Sequence, residues 1–171
     1  MYFASRVQAG RMLAAKLVPK YCQEQCAVMA VGDGGVMVGA QIAMQLHCVL
    51  TLLQSAEIGL PREPEALAAI TPGGSVSYNH TFSDGELDEM SSEYFGLIEQ
   101  EKLSRMHEMN QLLGGGGTIN KAFLKDHAVI MVSDGLKTGF EVDLAVEFLK
   151  PIAKYLLYTF ILIKYTTYNI L

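Results

Sequence analysis

Short runs of apolar residues alternate along most of this sequence with segments in which apolar residues recur every three or four positions. The apolar runs have the length of buried strands and are bounded by turn residues; they cover residues 26–31, 48–53 and 128–132. Apolar residues recur at helical spacing over residues 7–17, 36–46 and 142–149. A strand, a helix and a second strand within about 30 residues form the parallel crossover unit. The pattern therefore predicts an α/β fold with a parallel sheet.

The middle of the chain follows a different pattern. Residues 54–64 are typical of a loop, and the runs 66–71 and 75–80 on either side of Pro72-Gly73-Gly74 predict a β-hairpin beside the main sheet. Residues 87–113 predict one long helix that ends at four consecutive glycines. We expect this helix to pack across the fold, with a lid or a dimer contact as alternatives.

Capping and turn residues set the expected ends of the other elements. Ser5 can cap the first helix and Pro19 is expected to end it. Gly32-Asp33-Gly34-Gly35 predicts a glycine turn between the first strand and the next helix. Residues 155–163 predict a last strand, because nine residues fall short of the roughly 20 needed to span a membrane. An edge strand here would invite pairing with another chain, so a homodimer is one alternative, and a truncated end is another explanation of the Tyr- and Ile-rich tail after residue 155.

Composition narrows the class of protein. With 171 residues, of which 50% are hydrophobic and 18% charged, residues 1–171 are expected to form a single domain with an ordinary core. The net charge of −5 argues against a nucleic-acid partner, because such surfaces need clustered Lys and Arg. Cys22, Cys26 and Cys48 are odd in number and lack zinc-type spacing, and no secretion signal is visible. We therefore expect a cytoplasmic protein with no membrane segment.

The segment with the clearest chemical content is 128–141. A buried strand is predicted to run into Ser133-Asp134-Gly135, which is followed by the loop residues Lys137-Thr138-Gly139 and then a helix. The acid thus stands at the carboxyl end of a strand, where open α/β sheets bind ligands. The glycines let backbone N–H groups turn toward a ligand, and the start of the helix favours an anion.

This segment resembles the phosphoribosyl-diphosphate (PRPP) signature of type I phosphoribosyltransferases, in which two acids and a Gly lead into a Thr-Gly-x-Thr/Ser loop. The resemblance extends to about residue 150. A segment similar to the family's Phe-x-x-Arg-x-x-Ala-Gly-x-x-Leu-Ala opening is formed by Phe3, Arg6, Ala9, Gly10, Leu13 and Ala14. The glycine turn at 32–35, Asn79 after a short strand and the long charged helix follow in the family's order.

The resemblance implies a Rossmann-like parallel sheet flanked by helices that binds a phosphorylated ribose at its carboxyl edge. Gly34 and Gly35 of the first turn would then hold pyrophosphate. Ser133 and Asp134 would hold the ribose hydroxyls, directly or through a magnesium ion on Asp134, which is also the candidate catalytic residue. The 5-phosphate would be held by Gly135, Lys137, Thr138 and Gly139.

Three residues depart from the family pattern. Ser133 replaces the first acid of the pair and is a poor magnesium ligand. Asp33 and Glu141 place anions where the family has a cation and a hydroxyl beside phosphate. Two unit charges 4 Å apart interact by about 1 kcal/mol in water and about 4 kcal/mol at a surface-like dielectric. Lys137 supplies one compensating charge.

These departures leave three hypotheses open. The chain is a phosphoribosyltransferase acting on an unidentified acceptor, a non-catalytic relative that binds a nucleotide or sugar phosphate or supports an assembly, or an unrelated α/β protein with ordinary glycine turns. The four histidines are scattered and do not predict a metal site. Asn79 and His80 predict a turn cap, with a substrate contact as the alternative.

Overall fold

The structure is a computed structural model that describes residues 3–113, 119–135, 140–152 and 155–160. The described helices are α1 (Arg6–Tyr21), α2 (Gly32–Leu46), α3 (Asp84–Glu93), α4 (Phe95–Leu112) and α5 (Phe140–Leu149), with a 3-10 turn at Lys121–Phe123. The described strands are β1 (Cys26–Val31), β2 (Val49–Leu53), β3 (Ala56–Ile58), β4 (Ala68–Ile70), β5 (Val76–Tyr78), β6 (Ala128–Ser133) and β7 (Tyr155–Phe160).

The chain folds into two compact units. The first is formed by Met1–Leu52, Asn120–Lys137 and Ile152–Leu171, and the second by Leu53–Ile119 and Thr138–Pro151. The prediction of a single phosphoribosyltransferase-like domain over residues 1–171 stays a prediction. None of the helices in the described ranges is both long and apolar enough to span a membrane.

The main sheet has the strand order β2-β1-β6-β7. β1 and β6 are parallel, with Cys26 opposite Ala128, and β6 and β7 are parallel, with Ala128 opposite Tyr155. Every residue of β1 and β6 is buried, as expected for interior strands of a parallel sheet, which form continuous apolar runs. The predicted α/β fold with a parallel sheet is confirmed.

The helices α1 and α2 complete the core of the first unit. Ala9, Ala14 and Leu17 of α1 pack in one buried cluster with residues of α2, β1 and β6. Gly10 allows α1 to approach α2 closely, since a Cβ at this position would lie 2.7 Å from the carbonyl oxygen of Val38. The small residues of the opening segment are therefore packing residues.

Several predicted boundaries in the first unit are wrong. α1 continues to Tyr21 with Pro19 inside it. The proline lacks an N–H and crowds the preceding turn, but the helical bonding resumes after it, since the Cys22 N–H donates to the Val18 carbonyl at 3.0 Å. No separate glycine turn follows β1. Gly32 has φ of 71°, and this left-handed residue lets β1 pass directly into α2, so Gly34 and Gly35 lie in the first turn of that helix. β2 was expected to be buried, but it is an edge strand and Val49 is 43% exposed.

The second unit contains a three-stranded antiparallel sheet in the order β3-β4-β5. The predicted hairpin is present as β4 and β5, with Ala68 opposite Tyr78, and β3 adds a strand within the predicted loop. The predicted long helix is two helices, broken at Tyr94. The helices α3 and α4 cover a buried cluster centred on Ile58, Leu67, Ile70, Ile98 and Met109.

Candidate functional site

The candidate site lies at the carboxyl end of β6. This strand is buried along its whole length and delivers Ser133, which is 2% exposed, and then Asp134, whose side chain is 23% exposed. The carboxyl end of an interior parallel strand is where α/β sheets present ligand-binding groups. The sequence-based placement of Asp134 at a strand end is therefore confirmed.

Asp134 is ion-paired with Arg6, the first residue of α1. Arg6 donates from Nε at 2.8 Å and from Nη2 at 2.6 Å, and both bonds go to Oδ2 of Asp134. The two residues are 128 positions apart in the sequence. Because the side chain of Arg6 is 39% exposed, water screens the pair, and its contribution to stability is on the order of 1 kcal/mol. Its geometry matters more than its energy, since two bonds hold one carboxylate oxygen in place.

The first turn of α2 lies directly against the end of β6. A Cβ at Gly34 would overlap all three atoms of the Asp134 carboxylate group, and a Cβ at Gly35 would lie 2.5 Å from the carbonyl oxygen of Val132. Glycine at both positions thus permits this close approach. The carboxylate of Asp134 lies at the amino-terminal end of α2, where the helix dipole is positive. Arg6 and the helix end together provide a positive environment for Asp134.

Ser133 has a local structural role. Its hydroxyl donates to the Gly135 carbonyl at 2.6 Å and accepts from the Gly135 N–H at 3.3 Å. Such a turn formed by a serine side chain stabilises the reversal of the chain after β6. The structure thus brings Ser133, Asp134, Gly34, Gly35 and Gly135 together, and their contact with a ligand stays a prediction.

The other residues that the sequence analysis discussed for the site are Lys137, Thr138, Gly139, Asp33 and Glu141. Lys137, Thr138 and Gly139, which were expected to hold the 5-phosphate, lie outside the described residues. Asp33 is exposed in the first turn of α2, so its charge is screened by water. Glu141 is half-buried in the first turn of α5.

The predicted magnesium ion would have to bind the donors at the end of β6. Magnesium prefers several hard oxygen ligands in octahedral geometry. Here Asp134 supplies a single carboxylate that is already bonded to Arg6, and the Ser133 hydroxyl is engaged in its own turn. Within the ranges that the structure describes, no three His, Cys, Asp or Glu side chains form a potential metal-binding group. These residues do not fit a metal ion held by the protein alone, and the magnesium site stays a prediction.

Asn79 is a structural residue of the second unit. It is 4% exposed; its Nδ2 donates to the Ala66 carbonyl at 2.9 Å, and its Oδ1 accepts from the Thr81 N–H at 2.9 Å. The preferred interpretation as a turn cap is confirmed. His80 lies 3.9 Å from Asp143 and its side chain is 81% exposed.

Sequence reasoning missed two features of the first unit. Arg6 was noted as part of a motif, but no role was assigned to it; an arginine among the small packing residues Ala9 and Gly10 was the available signal. Cys48 was treated only as one of an odd number of cysteines. Burial raises the pKa of the Cys48 thiol to about 12, and its interaction with Cys26 acts in the same direction.

Comparison with known proteins shows the fold. No protein-family model matches this sequence. The crystal structure of TT1426 from Thermus thermophilus is similar over 97% of this chain and 88% of that chain, with 21% sequence identity and a TM-score of 0.56. A hypoxanthine phosphoribosyltransferase from Staphylococcus aureus is similar over 91% of this chain and 61% of that chain, with 10% identity and a TM-score of 0.50. The chain therefore has an α/β fold with a parallel sheet like that of the phosphoribosyltransferases.

Proposed function

We propose that this protein binds a phosphorylated ribose at the carboxyl end of β6. The observation that carries the proposal is the position of Asp134. This residue directly follows the buried parallel strand β6, its side chain is 23% exposed, and its carboxylate lies at the start of α2. A carboxylate accepts hydrogen bonds from sugar hydroxyls. Its placement at this edge of a phosphoribosyltransferase-like fold supports ribose as the sugar.

The phosphate is assigned from the sequence. Gly135 and Gly139 supply flexible backbone N–H donors, Thr138 a hydroxyl and Lys137 a positive charge, which together match the chemistry of a phosphate monoester. The proposed ligands are therefore PRPP and 5-phosphorylated nucleosides or sugars. The predicted cytoplasmic location belongs to the same proposal.

The proposed reaction is transfer of the phosphoribosyl group from PRPP to a nucleophilic acceptor. The acceptor forms a bond to the anomeric carbon while the bond from that carbon to pyrophosphate breaks; pyrophosphate leaves with the bonding electron pair, and the proton that the acceptor loses passes to solvent. Asp134 would orient the ribose ring during this displacement, and positioning of this kind is the main contribution a protein can make to such a step. A purine base is the first acceptor to test, because the similar Staphylococcus aureus structure is described as a hypoxanthine phosphoribosyltransferase.

Binding without transfer is the second candidate function. Two observations favour it: the Ser133 hydroxyl is bonded within its own turn, and Asp33 places an acid in the first turn of α2, where the family resemblance assigns pyrophosphate. A site that holds ribose 5-phosphate but binds pyrophosphate only weakly would act as a sensor or an assembly component. Its preferred ligand would be a nucleoside monophosphate.

Calorimetric titration with PRPP, ribose 5-phosphate and inosine monophosphate tests the proposal, with and without magnesium. Dissociation constants below about 1 mM for at least one ligand are expected, and Asp134→Ala should weaken binding at least tenfold. Arg11→Ala is the matched control, because Arg11 lies on α1 and bonds Gln41 instead of the site. Absence of binding for all three ligands would refute the proposal.

Pyrophosphate release then separates the two candidate functions. The protein is incubated with PRPP, magnesium and each of a panel of purine and pyrimidine bases, and pyrophosphate is measured with a coupled enzyme assay. Release that depends on one base and is lost in Asp134→Ala supports transfer. Binding of inosine monophosphate with no release for any base supports the non-catalytic function.

A further inference from the structure

The Arg6–Asp134 pair uses only one side of the carboxylate. Both hydrogen bonds that Arg6 donates to Asp134 end on Oδ2, and across the described residues no hydrogen bond reaches Oδ1. The adjacent α2 backbone at Gly34 leaves no space for a side chain on its side of the carboxylate. The carboxylate is therefore held in one orientation with Oδ1 available as an acceptor.

Arg6 itself is held by the packing of α1. Ser5 caps the helix by accepting from the Gln8 N–H at 3.1 Å, which makes Arg6 the first helical residue. One turn further along, Gly10 brings α1 against the backbone of α2 at Val38. These contacts hold the start of α1 on α2, whose first turn lies against the end of β6.

The location of Arg6 is unfavourable for α1 alone. A positive charge in the first turn of a helix opposes the helix dipole, and acids are preferred there. The first turn of α1 contains no acid. The ion pair with Asp134 at the end of β6 offsets this unfavourable position of the cation.

We propose that Arg6 is a positioning residue that aims Oδ1 of Asp134 at the 2-hydroxyl of the bound sugar, so that the site selects ribose over 2-deoxyribose. This inference rests on the proposed function, because it assumes that a phosphorylated ribose binds here. Arg6 acts through Asp134, and its two bonds to one oxygen prevent rotation of the carboxylate. The fixed acceptor then has a partner in ribose and is left without one in 2-deoxyribose, which costs affinity for the deoxy sugar.

The test measures dissociation constants of ribose 5-phosphate and 2-deoxyribose 5-phosphate for the full chain by calorimetry. The native protein is expected to prefer the ribose ligand by about tenfold or more, the effect of one hydrogen bond to a charged group. In Arg6→Ala the preference should fall to within about threefold, because the carboxylate can rotate. Arg6→Lys should give an intermediate value, since an ammonium group replaces a two-bond contact with a single one. Arg11→Ala should keep the native preference.

The ratio of the two constants is the decisive quantity, because a general loss of structure weakens both ligands together. If Arg6→Ala does not fold, as judged by circular dichroism, Arg6→Lys and Arg6→Gln provide the same comparison. A native preference that persists in these variants, or no native preference at all, would overturn the inference while leaving the proposed function intact. Failure of the native protein to bind either sugar phosphate would also overturn the inference, whereas the proposed function is refuted only if PRPP and inosine monophosphate fail to bind as well.

Discussion

Substitution of the two glycines in the first turn of α2 gives a prediction that needs no ligand. Gly35→Ala would place a Cβ 2.5 Å from the Val132 carbonyl oxygen, which is 0.9 Å short of the 3.4 Å limit of ordinary contact. This oxygen belongs to the backbone of a buried strand and cannot rotate away. Overpacking of a core costs about 1–3 kcal/mol, and the 2.5 Å contact with backbone places Gly35→Ala toward the upper end of that range. The better helix propensity of Ala offsets up to about 1 kcal/mol, so we expect the free energy of unfolding to fall by about 2 kcal/mol.

Gly34→Ala differs because it collides with a side chain. The new Cβ would overlap the carboxylate of Asp134, which can be removed by a second substitution. We expect Gly34→Ala to cost about 1–3 kcal/mol and Asp134→Ala about 1 kcal/mol, while the double variant should recover about 1–2 kcal/mol relative to the sum. Asp134→Ala should give no such recovery when combined with Gly35→Ala, which makes that pair the matched control.

The assay is urea unfolding followed by far-ultraviolet circular dichroism, because the chain has no tryptophan for a fluorescence signal. The free energy of unfolding is obtained for the native protein, the three single variants and the two double variants under identical conditions. Additivity of Gly34→Ala and Asp134→Ala to within about 0.5 kcal/mol would refute the contact between Gly34 and the carboxylate, and with it the placement of Asp134 at the start of α2.

Further predictions concern the half-buried thiol of Cys48 and the cap of α3. Because the pKa of Cys48 is raised from 9.0 to about 12, the native thiol keeps its proton after an unfolded thiol has lost it. The free energy of unfolding should therefore fall as the pH rises from about 9 to 12, and Cys48→Ala should reduce this fall. Urea unfolding of the native protein and of Cys48→Ala at pH 8 and pH 10.5 measures the fall. Equal falls in the two proteins would contradict the partial burial of the thiol. At pH 8, iodoacetamide should label exposed Cys22 at least tenfold faster than Cys48, as quantified by peptide mass spectrometry. Ser83→Ala removes the capping box that Ser83 forms with Glu86 at the start of α3, and it should lower the free energy of unfolding by about 0.5–2 kcal/mol at pH 7. The control is Ser92→Ala on the exposed surface of the same helix, which should change stability by less than about 0.5 kcal/mol. The bonds from Ser83 lower the pKa of Glu86, so the stability they add is present above the ordinary glutamate pKa and is lost as the pH falls; a Ser83→Ala effect that is equal at pH 3 and pH 7 would contradict this contribution.

The order of elements could be predicted where the apolar period was clear. β1, β6 and the helix following each of them were identified because buried parallel strands form continuous apolar runs between turn residues. Boundaries were less accurate. Pro19 was taken as the end of α1 and Gly32 as part of a turn, but helix ends depend on which backbone groups find partners in the folded chain.

Very short strands, such as those of the second unit, are difficult to predict from a sequence for a different reason. β3 has three residues, too few for a period of two to be recognised, and it becomes a strand because β4 provides backbone partners opposite it. The exposure of β2 in the first unit likewise followed from strand order, since the same apolar run would be buried in the middle of the sheet and half-exposed at its edge.

The sequence by itself determined the α/β alternation and the position of Asp134 at the end of a strand, because both depend on residues that are close together in the chain. Only the tertiary structure decided what surrounds Asp134. Arg6 lies 128 positions away and Gly34 belongs to another helix, and no local pattern records that these residues meet. Ser133 is an intermediate case. The sequence showed that a serine stands where the family resemblance expects an acid, but only the structure showed the turn that its hydroxyl forms with Gly135. The physical reason is that periodicity is a property of one element, whereas a site depends on how several elements pack.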